Sequence, residues 1–206
     1  MVNENGIKTQ SQCCLDANGD KRGIYGNTIS NNKSDEYGGG GVSIRKSSEP
    51  TIHNNLIANN EADGNGGGIY IDASSPKIYN CTVADNEACT DPACSLYAGG
   101  IYFDGTYSQP EIKNTIVYYN DPNDVMNGTN NADGTNNTLY NFCNIDNFNS
   151  TVQGGNIDMP PLFTTFNNCD YHLSALNSSP CIDAGDDYYY QSSLTTYDLT
   201  GTEDRI

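Results

Sequence analysis

The sequence predicts an all-β solenoid, in which short strands coil repeatedly around a single hydrophobic core. Three observations favour this fold: the chain contains an internal repeat, the repeat lacks a helical period, and turn-forming residues are abundant. The 206 residues include 21 Gly and 29 Asn, the residue types that best tolerate the left-handed backbone of tight turns. Short strands between many turns therefore explain this composition better than helices do.

Glycine runs mark the repeats, at 39–44, 66–71 and 99–103. Each run is followed by a proline and then, at fixed spacing, by isoleucine, asparagine, a second apolar residue and a second asparagine. The equivalent positions are Pro50, Pro76 and Pro110; Ile52, Ile78 and Ile112; Asn54, Asn80 and Asn114; Ile57, Val83 and Val117; and Asn60, Asn86 and Asn120. The last column gives repeats of 26 and 34 residues, and the longer one carries an insert at 88–96.

One repeat cannot bury its own Ile and Val side chains, so successive repeats must stack into a continuous core. Each repeat contains three strand patterns, G-G-I-Y-I, P-x-I-x-N and T-x-V/I. Stacked strands lie about 4.8 Å apart, which places equivalent residues directly above one another. We therefore expect Asn60, Asn86 and Asn120 to form a structural ladder of hydrogen-bonded side chains at one corner.

The segment GGGIYIDASSPKIYNCTVADNEA at 66–88 resembles the right-handed parallel β-helix repeat of bacterial surface and secreted proteins. It is similar to the repeats of polymorphic outer-membrane proteins and pectate-lyase-like proteins. The resemblance implies a right-handed parallel β-helix of about four to five coils. It divides the chain into β-helix repeats at 1–141 and a less regular C-terminal capping segment at 142–206 that packs on the helix.

The segments at 143–146, 152–158, 181–186 and 198–206 resemble the end of extracellular β-helix proteins that carry a C-terminal surface anchor. In that family a further short strand usually follows, so the anchor itself is expected to be missing from this chain. The resemblance implies an extracellular or cell-surface location. It does not decide the function, because this fold hosts lyases, hydrolases, adhesins and structural proteins.

Charge and hydropathy exclude two classes of partner. The chain has 26 acidic and 9 basic residues and a net charge of -17, which argues against a nucleic-acid binder because phosphate contacts require clustered Lys and Arg. No run of about 18 consecutive apolar residues is present, so no membrane span is predicted. The N-terminus has no basic-then-apolar export signal.

Eight cysteines in an acidic chain of this kind favour an oxidising compartment. Cys89 and Cys94 flank the insert and form the first predicted disulfide, and Cys169 and Cys181 form the second. Cys81 falls in a repeat column and is interpreted as a buried thiol. The connectivity stays open at this stage.

Two acidic segments are candidate calcium sites, and calcium is the one cofactor considered. Asp16, Asn18 and Asp20 place oxygen ligands at alternate positions, as at the start of a calcium loop. Asp183 and Asp186 form the second candidate. The alternative for the first segment is a cluster of Asx turns that caps the first coil, and the alternative for the second is a surface turn.

Arg45, Asp72 and Asp104 each follow a glycine-run strand and are predicted to form a line along one outer edge. Tyr70 and Tyr102 occupy matching strand positions and should stack beside that line. These five residues are the candidate carbohydrate-binding set. Paired carboxylates about 5–10 Å apart are also what a glycosidase requires, but a charge ladder on a solvated face is the simpler interpretation, and no catalytic residue is assigned.

The leading hypothesis is an extracellular, non-enzymatic structural or adhesive surface protein. The open ends of a solenoid expose unpaired strand edges, so self-association of stacked subunits into oligomers or filaments is expected. The alternative is a β-helix protein that binds or cleaves polysaccharide. The expected partners are further copies of the chain, a polysaccharide or a cell-surface glycan.

Overall fold

The computed structural model describes residues 14–15, 22–35, 38–89, 97–104, 107–128, 140–146, 154–165, 170–176 and 178–186. These residues are all-β, and their strands wind into a parallel solenoid of about four coils. The predicted fold class is confirmed.

Twenty short strands build the described structure. In chain order they are β1 Cys14–Leu15, β2 Arg22–Tyr25, β3 Thr28–Ser30, β4 Lys33–Ser34, β5 Val42–Arg45, β6 Thr51–His53, β7 Leu56–Ala58, β8 Glu61–Ala62, β9 Ile69–Asp72, β10 Lys77–Tyr79, β11 Thr82–Ala84, β12 Glu87–Ala88, β13 Ile101–Phe103, β14 Glu111–Lys113, β15 Ile116–Tyr118, β16 Val125–Asn127, β17 Tyr140–Asn141, β18 Asn144–Ile145, β19 Phe163–Thr165 and β20 Asp170–Leu173.

Four sheets run along the solenoid, and each of the first three coils contributes one strand to each sheet in turn. Sheet A has the order β1-β2-β6-β10-β14-β17, sheet B has β18-β15-β11-β7-β3, sheet C has β12-β8-β4, and sheet D has β16-β13-β9-β5. All pairs in them are parallel except β1 with β2. The sequence predicted three strands per repeat; sheet C is the fourth, and its strands of two residues are too short to show an alternating pattern.

The core consists of aliphatic columns in which equivalent residues of successive coils are paired. Ile78 lies in register with Ile52 on one side and Ile112 on the other. Val83 is paired with Ile57 and Val117 in the same way. All of these side chains are fully buried, as each strand directs alternate residues inward.

Asparagine builds the corners between sheets A and B. Asn54, Asn80 and Asn114 adopt φ angles of 55°, 52° and 47°, in the left-handed region that Asn tolerates better than most residues. Phe142 takes the same conformation in the next coil, with φ 54°. The high asparagine content is therefore a requirement of tight corners repeated in every coil.

The glycine runs lie where the chain passes closest to the next coil. A Cβ atom on Gly67 would lie 2.2 Å from the carbonyl oxygen of Glu87, and one on Gly40 would lie 2.3 Å from that of Glu61. These contacts are to backbone, which cannot move aside as a flexible side chain would. Glycine is thus required by the close approach of the coils.

A ladder of asparagine side chains joins the coils at the corner between sheets B and C. The Nδ2 of Asn60 donates to Oδ1 of Asn86, and Nδ2 of Asn86 donates to Oδ1 of Asn120, both at 2.9 Å. Each of these Oδ1 atoms also accepts the backbone N–H of the residue before it in the ladder. The structure thus brings the three predicted ladder residues together, and Asn32 extends the ladder at its N-terminal end.

Asp124 ends this ladder. Its Oδ1 accepts both Nδ2 and the backbone N–H of Asn120, at 2.6 and 2.8 Å. Asp124 is 6% exposed, and burial raises the pKa of its carboxyl to about 7, with the Asp146 carboxylate adding to the rise. The carboxyl Oδ1 therefore takes the acceptor role that Asn86 and Asn120 have on the earlier rungs.

The C-terminal strap, defined as the described residues from Ile157 to Asp186, packs on the outer face of sheet B. Phe163 of the β19–β20 hairpin lies in one buried cluster with Ile116 and Tyr118. The hydroxyl of Tyr171 donates to Oδ2 of Asp85 at 2.7 Å. The strap therefore covers a side of the solenoid, and Ile157 at its start also pairs with β18, the last strand of sheet B.

The predicted domain boundary at 141 falls between two strands of one coil. β17 continues sheet A and β18 continues sheet B, and Asn144 of β18 is bridged to Ile157. The solenoid pattern thus extends past the boundary before the strap begins.

Replacing Asn86 by alanine should lower the free energy of unfolding by about 3 kcal/mol, because buried backbone groups on two coils lose their partners. Urea unfolding of the purified protein measures this change. Asn31→Gly is the control: Asn31 is exposed and has φ 55°, which glycine tolerates, so its effect should stay within about 0.5 kcal/mol. Equal effects of the two substitutions would contradict a stabilising role for the ladder.

Asp124 should make stability depend on pH. Its folded pKa is raised, so the folded state holds a proton that the unfolded state releases, and the stabilisation present below about pH 4 is lost as pH rises through about 7. Relative to Asp124→Asn, the wild type should lose at most about 4 kcal/mol over this interval. Thermal unfolding at a series of pH values measures this loss of stability. The control is Asp183→Asn, a substitution in an exposed turn. Parallel stability curves for wild type and Asp124→Asn would refute the linkage.

Candidate functional site

The sheet D face is the outward side of β5, β9 and β13. Ile69 and Ile71 of β9 point into the core, so Tyr70 and Asp72 between and after them point outward. The outward residues of the three coils are Ser43, Arg45, Tyr70, Asp72, Tyr102 and Asp104. Strand pairing places these residues in two adjacent columns that run along the solenoid.

One column consists of Ser43, Tyr70 and Tyr102, and the side chain of Arg45 reaches over it from the other column. The guanidinium carbon of Arg45 lies 4.8 Å from the ring centroid of Tyr70. The rings of Tyr70 and Tyr102 are 5.6 Å apart and inclined by 2°. The Nε of Arg45 donates to Oγ of Ser43 at 3.1 Å, which holds the guanidinium in place. The Tyr70 ring is thus stacked between Arg45 and Tyr102.

The other column carries the carboxylates. Asp72 is in register with Arg45, and the backbone N–H of Asp104 donates to the carbonyl of Ile71 one coil below. Burial raises the pKa of the Tyr70 and Tyr102 phenols, and the Asp72 and Asp104 carboxylates contribute to both rises. At neutral pH the tyrosine hydroxyls are therefore protonated and can both donate and accept hydrogen bonds. The structure brings all five predicted carbohydrate-binding residues onto one face.

A family model for the right-handed β-helix region matches residues 1–157. The chain belongs to the right-handed β-helix family. The resemblance predicted from the repeat sequence is confirmed at the level of this family, and the family supplies the handedness of the coils. No curated protein and no solved structure matches the chain.

Two cysteines in the described coils of the β-helix are thiols. Cys81 and Cys143 are buried and free, and burial raises their pKa values to about 11 and about 12. Both side chains occupy the corner between sheets A and B, where the Cys81 backbone N–H donates to Oγ1 of Thr115 at 3.4 Å. The thiols therefore stay protonated and act as small core residues.

The predicted pairing of Cys169 with Cys181 is not formed. Cys181 is a free thiol on the buried side of the strap, where its Sγ accepts from Nδ2 of Asn144 at 2.9 Å. The thiol is buried against the outer face of sheet B, in one cluster with Ile116 and Phe163. Cys169 lies outside the described residues. Cys89 is disulfide-bonded; Cys94, its predicted partner, lies outside them, so that pairing stays a prediction.

The calcium candidates are not gathered into a site in the part of the chain that the structure describes. Asp16, Asn18 and Asp20 lie outside it. Asp183 is exposed, and Asp186 is tied by its backbone to the side chain of Asn114, at 2.9 and 3.0 Å. The described residues contain no group of three or more His, Cys, Asp or Glu placed to hold a metal ion. Calcium binding stays a prediction.

Tyr107 is the residue of this region that the sequence analysis missed. It lies in the turn after Asp104 and is 72% exposed. It belongs to no repeat column, which is why alignment of the repeats passed over it. The available signal was turn length: Ser108 follows Asp104 by four positions, whereas Ser74 follows Asp72 by two.

No helix in the described ranges is long and apolar enough to cross a membrane.

Proposed function

We propose that this β-helix is a non-enzymatic, extracellular surface protein with a structural or adhesive role, and that its copies assemble by stacking end to end. The supporting observation is the arrangement of strands at the two ends of the solenoid. Among the described strands, β3, β4 and β5 are the last of sheets B, C and D at the N-terminal end. At the other end, β16 and β17 are the last strands of sheets D and A.

Strand edges of this kind carry backbone N–H and C=O groups that a further strand can pair with. A second copy would continue the same parallel ladders, because the coils of both copies have the same spacing. Such a contact joins two different surfaces, so repetition of it produces a filament instead of a closed dimer. The net charge of -17 opposes the approach of two copies, and salt should therefore promote assembly.

The extracellular location is supported by two features. Cys89 is disulfide-bonded, and disulfides persist mainly in oxidising compartments. The repeats also resemble those of bacterial surface and secreted proteins. Both features favour a protein that works outside the reducing cytosol.

Light scattering and negative-stain electron microscopy test the assembly. We expect a mass that grows with protein concentration and with ionic strength, and regular stacks in the micrographs. Thr28→Pro removes a backbone donor from edge strand β3 and should reduce assembly, while Thr28→Ala keeps this N–H group and should not. A monomer mass under every condition would overturn the proposal of stacking.

A polysaccharide-binding function is the second candidate, and the sheet D face favours it. Tyr70 and Tyr102 hydroxyls and the Asp72 and Asp104 carboxylates lie together on one half-exposed surface. Electrophoresis through gels containing neutral or acidic polysaccharides should show retardation of the wild type and less retardation of the Asp72→Asn, Asp104→Asn double variant. Release of new reducing ends, lost in that double variant, would instead indicate a hydrolase. Absence of retardation by every polysaccharide would exclude this candidate.

A further inference from the structure

We propose that charge selects which ends of two copies meet: the first coil of one copy, which carries Lys33 and Arg45, docks on the acidic last coils of another, which carry Asp121 and Asp146. The inference rests on the proposed end-to-end assembly. It adds to that assembly the residues that recognise the partner, and its test separates their role from assembly itself.

An outward column on sheet C begins with a cation and continues with carboxylates. Strand pairing places one charged residue from each of four successive coils in register: Lys33, Glu61, Glu87 and Asp121. The Nζ of Lys33 lies 2.6 Å from Oε1 of Glu61, so the cation partners the acid of the second coil. Lys33 and Asp121 are both exposed, at opposite ends of the column. The column therefore has a positive and a negative end.

A column on sheet D has the same order of charges. Arg45 of the first coil is in register with Asp72 of the second, and Asp104 continues the column in the third coil. Gly128 follows it in the fourth coil and adds no charge. Two separate columns thus have their cation in the first coil and carboxylates after it.

The distribution of charge along the chain follows the same direction. Residues 22–50, which span the first coil, include four basic and three acidic residues. Residues 114–204 include twelve acidic residues and no Lys or Arg. Most of the net charge of -17 therefore belongs to the last coils and the segment that follows them, and the first coil is the part of the described solenoid that an acidic surface repels least.

One pairing of ends brings opposite charges together. The described part of sheet C ends one coil before sheets A and B, so a copy stacked on β17 and β18 brings its Lys33 within ~10 Å of Asp121, or two coil spacings. Asp146, directly after β18, belongs to the intervening coil. Two N-terminal ends would instead bring Lys33 towards Lys33, and two C-terminal ends would bring Asp121 towards Asp121. Like charges across an interface repel, so these pairings are disfavoured.

Charge reversal at each end, followed by mixing, tests the inference. Light scattering measures assembly of the whole protein at about 0.1 M salt, where the screening length is about 10 Å. Lys33→Glu and Asp121→Lys should each raise the protein concentration at half-maximal assembly at least about fivefold. An equimolar mixture of the two variants should return it to within about twofold of the wild type, because each N-terminal end then finds a C-terminal end of opposite charge.

Lys77→Glu is the matched control, because it makes the same change in net charge at an exposed position on a lateral face, in β10. It should change the half-maximal concentration by less than about twofold. Lys33→Gln, which removes the charge without placing a carboxylate beside Glu61, should weaken assembly less than Lys33→Glu does. At about 1 M salt, where the screening length is about 3 Å, both reversal variants should assemble like the wild type.

Two results would overturn the inference and leave end-to-end stacking in place. One is assembly of both reversal variants like the wild type at about 0.1 M salt, and the other is a mixture that assembles no better than its components. A wild type that stays monomeric under every condition would overturn the stacking itself, and this inference with it.

Discussion

In-register stacking of successive coils is the constraint on which the other features of this protein depend. A parallel coil spacing of about 4.8 Å brings each residue into contact with its equivalents above and below. The buried polar side chains at the corners must then find their hydrogen-bond partners in the neighbouring coils. Asn60 and Asn86 meet this requirement with one amide each, because the group accepts through its oxygen and donates through its nitrogen at the same time. The hydrophobic columns can be continuous only because the polar side chains at the corners form their hydrogen bonds with equivalent side chains of the neighbouring coils.

The corners between the sheets form these hydrogen bonds with different side chains. The corner between sheets B and C uses asparagine and ends at Asp124, whose Oδ1 accepts two hydrogen bonds from Asn120. The corner between sheets D and A uses serine, with the backbone N–H of Ser48 donating to Oγ of Ser74. The corner between sheets A and B is mixed, and it admits Cys81 where another coil has Asn55. A buried thiol fits there because its weak S–H donor lies 3.2 Å from the carbonyl oxygen of Tyr79 and 3.7 Å from that of Ile52.

The lateral faces of the solenoid differ in their exposure to solvent. Sheet B points Ile116 and Tyr118 outward, and the strap buries them. Sheet D points tyrosine, arginine and aspartate outward and leaves them half-exposed to solvent. The division follows from outward residue type: an apolar face is stable only when covered, and a polar face is stable in water. Sheet D is therefore the face that stays exposed. Its outward residues, such as Tyr70 and Tyr102, pack against one another.

The sequence by itself determined the repeat, the inward columns and the three central asparagines of the ladder, because these depend on spacings within and between equivalent repeats. Only the tertiary structure decided where the non-repeating part of the chain goes. The contact between Tyr171 and Asp85 joins residues 86 positions apart, and no periodicity predicts it. The same limit explains the free thiol of Cys181 and the exposure of Tyr107. Outward apolar residues on sheet B did carry a signal for the strap, since Ile116 and Tyr118 flank an inward Val117 and leave that strand without a polar side.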